Sequence, residues 1–363
     1  MNLNYSDEQL MLKDQIAKFC SSDYPFDKRE KIIEDNFGHS PEIWNQFAEL
    51  GWLALPFSEK NGGLDFGPIE LSILFEEFGK ALMVEPYLST VVMSGYLLDN
   101  SSVNCSEIIE QIITGAVHVS TAYAEPASGY SFESPQTQLT NGLLNGSKSI
   151  VLNGKYAQYF IVTAMDGSDL KVALVDASAE GVSINSFRTF DGQTCSDVTF
   201  ENVSVSDEAI LYAGGDAINA LNNMIKYATL CVSAEAVGCM SEALKKTVEY
   251  TKERQQFGVP ISSFQVLQHR MVEMFMEAEI SKSLLVKTML QINSNDEEAE
   301  KTLSSLKAQV GKSGKFVGQE AVQLHGGMGV SNEMSIGHYL KRMTSIDSQF
   351  GNRSYHVKKF MSL

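Results

Sequence analysis

The sequence predicts an α+β chain of several domains: an N-terminal helical domain over residues 1–115, a compact antiparallel β unit over 116–214 and a C-terminal bundle of helices over 215–363. Two patterns carry this. Toward both ends apolar residues recur at spacings of three and four, the period of a helix face, whereas between them they alternate with a period of two and are broken up by turn dipeptides. Size agrees, since 363 residues at 44% hydrophobic composition can fill two or three cores of ordinary domain size.

The first helix opens at Ser6, with Gln9 three residues on, a spacing at which each side chain satisfies an exposed backbone N–H of the first turn. Ser40-Pro41-Glu42 repeats the start signal, with Ser as cap and Pro as first helical residue, before Trp44, Phe47 and Leu50 at helical spacing. Leu64 to Lys80 is a further amphipathic stretch. At Val117, Val119, Thr121 and Tyr123 the period changes to two. The dipeptides Asn141-Gly142, Asn145-Gly146, Asn153-Gly154, Asp166-Gly167 and Asp191-Gly192 then separate short apolar runs, as hairpins require. Helical spacing returns after Gly215. It is clearest from Phe264 through Leu267, Met271, Met274, Ala278, Leu285 and Ile292, and again from Leu303 through Val310, Val317 and Leu324, with the acidic 295–300 stretch as a solvated connection.

Lys and Arg number 28 against 45 Asp and Glu, a formal charge of −17. Such a surface repels phosphate backbones and anionic headgroups, so neither nucleic acid nor membrane is an expected partner. Any anionic ligand must be held by a few local cations. The five cysteines are scattered and form no CxxC pair, which reads as reduced thiols and no zinc site. With no basic, apolar leader at the start and no run of membrane-spanning length, the expected location is the cytoplasm.

Two segments have residue types that folding explains poorly. In Arg254-Gln255-Gln256-Phe257-Gly258-Val259-Pro260 a guanidinium and an aromatic ring stand beside a chain reversal. Arg254 either neutralises helix-end carbonyls while Phe257 fills the core, or offers its fork to a pyrophosphate while Phe257 packs on an adenine. In Gln323-Leu324-His325-Gly326-Gly327-Met328-Gly329 three glycines in four residues permit close backbone approach to a ligand, and one glycine would suffice to end a helix. His325 has no second ligand at metal spacing along its helix and reads as a hydrogen-bonded loop residue. The methionines at helical spacing, Met271, Met274 and Met289, read as core filler.

Taken together these segments resemble the acyl-CoA dehydrogenase family over essentially the whole chain. The carrying stretches are TKERQQFGVPISSFQVLQHRM, QLHGGMGV about seventy residues later, ELGWLALPFSEKNGGL, KSIVLNG and CSDVTFENVSV. The resemblance implies a helical domain, a β-barrel and a four-helix bundle, with FAD as cofactor and an acyl-CoA thioester converted to its trans-2-enoyl form. It also implies electron-transfer flavoprotein as acceptor. Arg254, Phe257, Gln323, Leu324, His325, Gly326 and Gly327 would then hold the adenine-pyrophosphate half of a neighbouring subunit's FAD, and the protein would be an oligomer.

Three departures qualify what is implied. Aligning Arg342 with the family's arginine puts Gly351 where the catalytic Glu is expected, and the other position used by some members is Ala228. Ile150 and Leu152 stand where the family has the Trp and Thr that face the flavin ring. Glu125-Pro126 is followed by Ala127-Ser128-Gly129 instead of Gly-Ser-Asp. Motifs intact on the adenine side and lost on the ring side resemble the small subunit of heteromeric members, such as pimeloyl-CoA dehydrogenase and relatives in bacterial steroid side-chain breakdown. A homologous catalytic subunit in a heterotetramer would supply the base. The alternatives are a self-sufficient homo-oligomer using Glu125, Asp191 or Asp347 as base, and a non-catalytic acyl-CoA-binding or scaffold homologue.

Overall fold

The computed structural model describes residues 5–363. In chain order it has α1 (Asp7–Ser22), α2 (Phe26–Asn36), α3 (Pro41–Glu49), α4 (Pro68–Ala81), α5 (Gly95–Asp99) and α6 (Ser106–Ile113). Strands follow: β1 (Val119–Ala122), β2 (Gln138–Thr140), β3 (Leu143–Leu152), β4 (Tyr159–Asp166), β5 (Asp169–Asp176), β6 (Val182–Arg188), β7 (Thr194–Ser204) and β8 (Ile210–Ala213). The last part is α7 (Gly214–Glu253), a short ribbon of β9 (Gln255–Gln256) and β10 (Val259–Pro260), then α8 (Gln265–Asn293), α9 (Ala299–His325), α10 (Ser335–Ser348) and α11 (Arg353–Ser362). This is the predicted succession of helical, β and helical parts.

Local chemistry explains the starts. Ser6 and Gln9 form the reciprocal cap expected of them, and Ser40 Oγ accepts from Ile43 N ahead of Pro41. Helix α4 begins at Pro68, four residues after the apolar spacing does, because Pro fixes φ for the first helical turn and its missing N–H is not needed there.

The chain packs as two compact units. One gathers Lys31–Phe66 and Val84–Ala228. Its sheet runs β6-β7-β3-β2-β4-β5-β8, with β1 beside β4. The pairings are antiparallel apart from β1 with β4 and a single contact of β2 with β4. Leu144, Val151, Phe160, Val162, Val198 and Phe200 fill its interior. Asn141-Gly142 makes the two-residue turn into β3, both residues with positive φ. Asn145-Gly146 does not turn. It lies inside β3 at a bulge, where a Cβ on Gly146 would come within 2.6 Å of Thr137 Oγ1, so this glycine serves close approach of backbones.

A buried ion pair crosses this interior. Lys148 Nζ donates to Glu125 Oε1 at 2.7 Å and to Thr163 Oγ1 at 3.0 Å. Glu125 also accepts from Gln136 N, Thr137 N and Thr137 Oγ1. Burial alone would raise the Glu125 pKa, but the hydrogen bonds from Lys148, Gln136 and Thr137 outweigh it and hold the carboxyl at about 2.

The other unit gathers the chain up to Glu30, Gly67–Met83 and Thr229–Leu363. Here α4 and α7 approach through glycines set reciprocally. A Cβ on Gly79 would lie 2.1 Å from Glu235 O, and one on Gly238 would lie 1.9 Å from Glu76 O. Arg342 of α10 reaches Glu235 of α7 with two bonds, at 2.5 and 2.7 Å. Lys307 of α9, fully buried, donates to Ile346 O, Asp347 O and Gly351 O at 2.8–3.0 Å and so caps the end of α10. Met274 and Met289 are core, as expected, whereas Met271 is only half-buried. All five cysteines are buried and unbridged. Among the described residues no helix is long and apolar enough to cross a membrane.

The Glu125 pair makes an acid-stability prediction. The folded pKa lies below the ordinary value of 4.5, so its contribution is present above pH 4.5 and lost as pH falls from there toward 2. Urea unfolding at stepped pH should show this limb. Glu125→Gln should flatten it and, by leaving the Lys148 ammonium buried without its partner, lower stability at pH 7 by about 3–5 kcal/mol. An unchanged acid limb in the variant would assign it to other carboxylates.

Candidate functional site

The two segments singled out in the sequence meet at one end of the second unit. Helix α7 ends at Glu253, and the chain reverses through the β9–β10 ribbon, whose turn residues are Phe257 at φ 54° and Gly258 at φ 81°. Both signs are what a tight two-residue hairpin demands, and Gly or Asn usually meets that demand. A phenylalanine there is strained, and it is also 91% exposed. Neither the strain nor the exposure helps the chain fold, which rules out Phe257 as core filler.

Arg254 and Gln323 are exposed. Their side chains make no hydrogen bond or ion pair among the described residues, so a fork of N–H donors and an amide stand ready. Helix-end neutralisation by Arg254 is therefore not observed. At the end of α9, Gly326 has φ 60° with ψ −138°, a conformation open to glycine alone, and a Cβ on Gly326 or Gly327 would meet nothing within 4 Å. The backbone is thus bare to an approaching group.

Tyr250, one turn before Arg254, ties these segments together, and no sequence motif had picked it out. Its ring stacks on His325 with centroids 4.3 Å apart, and its hydroxyl donates to His325 O. His325 is buried, its Nδ1 donates to Ala321 O at 2.8 Å, and burial pushes its pKa down. It is hydrogen-bonded, as the sequence suggested, but as the last residue of α9 and not in a loop. Leu324 is buried as well, so these two have only backbone to offer a ligand. The other five, Arg254, Phe257, Gln323, Gly326 and Gly327, present a guanidinium, a flat ring, an amide and open backbone. That donor set fits the phosphate-and-ring half of a dinucleotide such as FAD.

At the positions expected to face a flavin ring, the β unit shows Ile150 at φ 53° and 61% exposed, on a bulge where Asp197 Oδ1 accepts its N–H, and Leu152 half-buried. In the other unit Gly351 is buried at φ 110°. A Cβ there would come within 2.4 Å of Tyr355 Cδ1 and 2.7 Å of His356 Nε2. Ala228 is fully buried in α7.

Family profiles match the chain in three consecutive pieces: the acyl-CoA dehydrogenase N-terminal domain over residues 6–102, middle domain over 120–203 and C-terminal domain over 215–358. The chain belongs to the acyl-CoA dehydrogenase family. It is 27% identical to acyl-CoA dehydrogenase IpdE2 of Mycolicibacterium smegmatis over 93% of this chain and 92% of that one. Among solved structures it is similar to the ChsE4-ChsE5 complex of Mycobacterium tuberculosis, with TM-score 0.90 and 20% identity over 100% of this chain and 98% of the other. It is similar also to PigA with FAD and proline, with TM-score 0.92 and 21% identity over the same shares. The chain is thus an oxidoreductase of the acyl-CoA dehydrogenase type, and FAD is the cofactor that goes with that family, as the motifs implied.

The strained Phe257 gives a direct check. Phe257→Gly removes a left-handed side chain, so thermal unfolding should stay level or rise by an amount equivalent to about 1 kcal/mol. Flavin retention by the assembled enzyme should fall. The ring lies edge-on to Phe264, 6.1 Å between centroids, and a loss of fold stability instead would mean that this contact outweighs the strain.

Proposed function

We propose that this chain is a subunit of a FAD-dependent acyl-CoA dehydrogenase that completes the flavin site of a homologous catalytic subunit and contributes no base of its own. The observation that carries the reading is the contrast between the exposed Phe257, Arg254 and Gln323, the last two without a side-chain bond among the described residues, and the closed positions at Gly351 and Ala228. Bound FAD supplies the acceptor for the β-hydride of the acyl-CoA thioester. Arg254 bonds its pyrophosphate, Gln323 and the open backbone at Gly326-Gly327 take the remaining acceptors, and Phe257 covers the adenine. The α-proton must leave to a carboxylate. Neither residue 351 nor residue 228 has one, so the partner provides it.

The three carboxylates that a self-sufficient enzyme would call on are engaged. Glu125 accepts four hydrogen bonds and stays ionised to about pH 2, which makes it a poor proton acceptor. Asp191 is buried beneath the Thr189 hydroxyl, and Asp347 accepts Arg353 N. A pure scaffold has no use for an unengaged guanidinium beside a strained exposed ring. Oligomerisation is supported by α8, where Val272, Phe275, Met276 and Ile280 are each at least half exposed. Electron-transfer flavoprotein as acceptor and a cytoplasmic location complete the proposal.

Purified alone, the chain should hold little FAD and show no acyl-CoA desaturation with an artificial electron acceptor. Co-expressed with the partner it should carry a flavin absorption band. Stoichiometric flavin and turnover in the isolated chain would overturn the half-site reading.

In the complete assembly Arg254→Ala should weaken FAD retention by about tenfold to a hundredfold, the equivalent of roughly 1.5–3 kcal/mol for a charge-assisted contact. Retention through dilution equal to wild type would remove Arg254 from the site.

A further inference from the structure

The glycine-rich segment leaves α9 at Gly326 and reaches α10 at Ser335, and a buried histidine holds it from that far side. His338 lies in the first turn of α10 and is 8% exposed. Its Nε2 bonds Asn332 O at 3.1 Å, and Arg29 Nη1 stands 3.3 Å from its Nδ1. A guanidinium only donates and a carbonyl only accepts, so the ring must be the neutral tautomer that donates from Nε2 and accepts at Nδ1. Phe26 packs edge-on against it, 5.0 Å between centroids. The Asn332 side chain is held as well, its Oδ1 accepting from Lys341 Nζ at 3.3 Å.

Arg29 is itself fixed. It is 1% exposed, its Nε donates to Leu82 O at 2.8 Å at the end of α4, and its Nη1 pairs with Glu30. The seating of α10 passes to the glycine-rich segment through close backbone contact. A Cβ on Gly337, beside His338, would lie 3.1 Å from Gly329 O, and one on Gly329 would lie 2.5 Å from Val322 O of α9. Gly329 is thus wedged between the two helices, next but one to the open backbone at Gly327. The charged groups facing His338 are Arg29, Glu30, whose Oε1 is 3.6 Å from Nδ1, and Lys341 further along α10. Burial lowers the His338 pKa, Glu30 and the Asn332 carbonyl pull it back, Arg29 and Lys341 push it down again, and the net shift is downward. The neutral ring therefore prevails above the ordinary value of 6.5 and gives way only as pH falls below it. Protonating Nδ1 would set donor against donor at Arg29 and draw the ring toward Glu30.

We propose that His338 is a positioning residue for the cofactor: as a neutral ring it holds Asn332, and with it the glycine-rich segment, so that the Gly326-Gly327 backbone is presented to FAD, and its protonation releases the segment. This rests on the reading of Gly326 and Gly327 as cofactor contacts. His338 itself touches no ligand and acts through Asn332 O. Acid should therefore loosen the flavin through this one ring.

The test follows flavin retention through dilution in the assembled enzyme from about pH 7.5 to about pH 5.5, a range that spans histidine titration. Amide hydrogen exchange over residues 326–334 is followed in the chain alone. Wild type should lose retention by about tenfold across the range, the scale of one buried hydrogen bond. His338→Gln carries a donor and an acceptor and does not titrate, so it should match wild type at the upper pH within about threefold and stay level to the lower. His338→Leu should be weakened by about tenfold at both ends, with faster exchange over 326–334. If that variant does not fold, wild type against His338→Gln decides alone. Acid loss in His338→Gln parallel to wild type, no acid loss in wild type, or unchanged exchange in a folded His338→Leu would each overturn the proposal. Arg254→Ala, measured alongside, separates the two readings. Flavin lost there but kept in both His338 variants at every pH sinks this inference only, whereas flavin kept in Arg254→Ala removes the cofactor reading and this inference with it.

Discussion

The bidentate Glu235–Arg342 pair sets where the helices of the bundle unit must lie. Both side chains are almost fully buried, and an ion pair so placed is tolerable only if the geometry is near ideal, because two charges have left water. The two bonds fix α10 against α7 at one register. Gly79 and Gly238 fix α4 against the same stretch of α7, since both backbones already sit where a methyl would go. Glu235 thus belongs to both contacts, through its carboxylate to Arg342 and through its carbonyl to Gly79. A slip of either helix would strand a buried charge or drive backbone into backbone. An apolar contact at this point would pack as well and would not forbid the slip.

The same logic recurs with Lys307. Its ammonium lies in apolar surroundings only because Ile346 O, Asp347 O and Gly351 O converge on it. Burial pushes the lysine pKa down to about 8, with Asp347 pulling it back up. Carbonyls at the end of a helix are acceptors in need of donors. A buried lysine supplies three at once, and the turn after α10 takes its shape from that ammonium.

Much of this was legible in the sequence where one segment decides its own structure. The Ser6–Gln9 cap, the Pro41 and Pro68 starts and the long faces of α8 and α9 follow from local chemistry. Asn145-Gly146 misled because the dipeptide fits both a turn and a bulge, and Thr137, outside the dipeptide's own strand, decides between them. Helix α8 hid a second feature: its buried stripe accounts for Met274, Ala278 and Leu285, while Val272, Phe275, Met276 and Ile280 point elsewhere, and periodicity records one face more readily than two. At the candidate site the motifs singled out Arg254, Phe257 and the glycines. They could not show that His325 is locked under Tyr250, nor that Phe257 is both strained and exposed. The seat of His338 was invisible, since Arg29 and Glu30 come from a distant stretch with no spacing to connect them to α10.

Gly351 shows what an absent side chain can mean physically. A carboxylate could stand at this position only if the surroundings had room for it. Here the position has φ 110°, its Cβ direction is filled by Tyr355 and His356, and its carbonyl is one of the three that receive the Lys307 ammonium. His356 is in turn fixed by donating from Nε2 to Phe350 O, and burial together with the Lys307 charge holds it neutral, with a pKa of about 4. Any side chain at 351 would have to displace the Tyr355 and His356 rings. The turn is therefore built around glycine, with neighbours adjusted to its lack of a side chain over several residues. Such a segment does not accept a larger side chain by one substitution. That packing supports the proposal that the base comes from another chain, beside the exposed Arg254, Phe257 and Gln323.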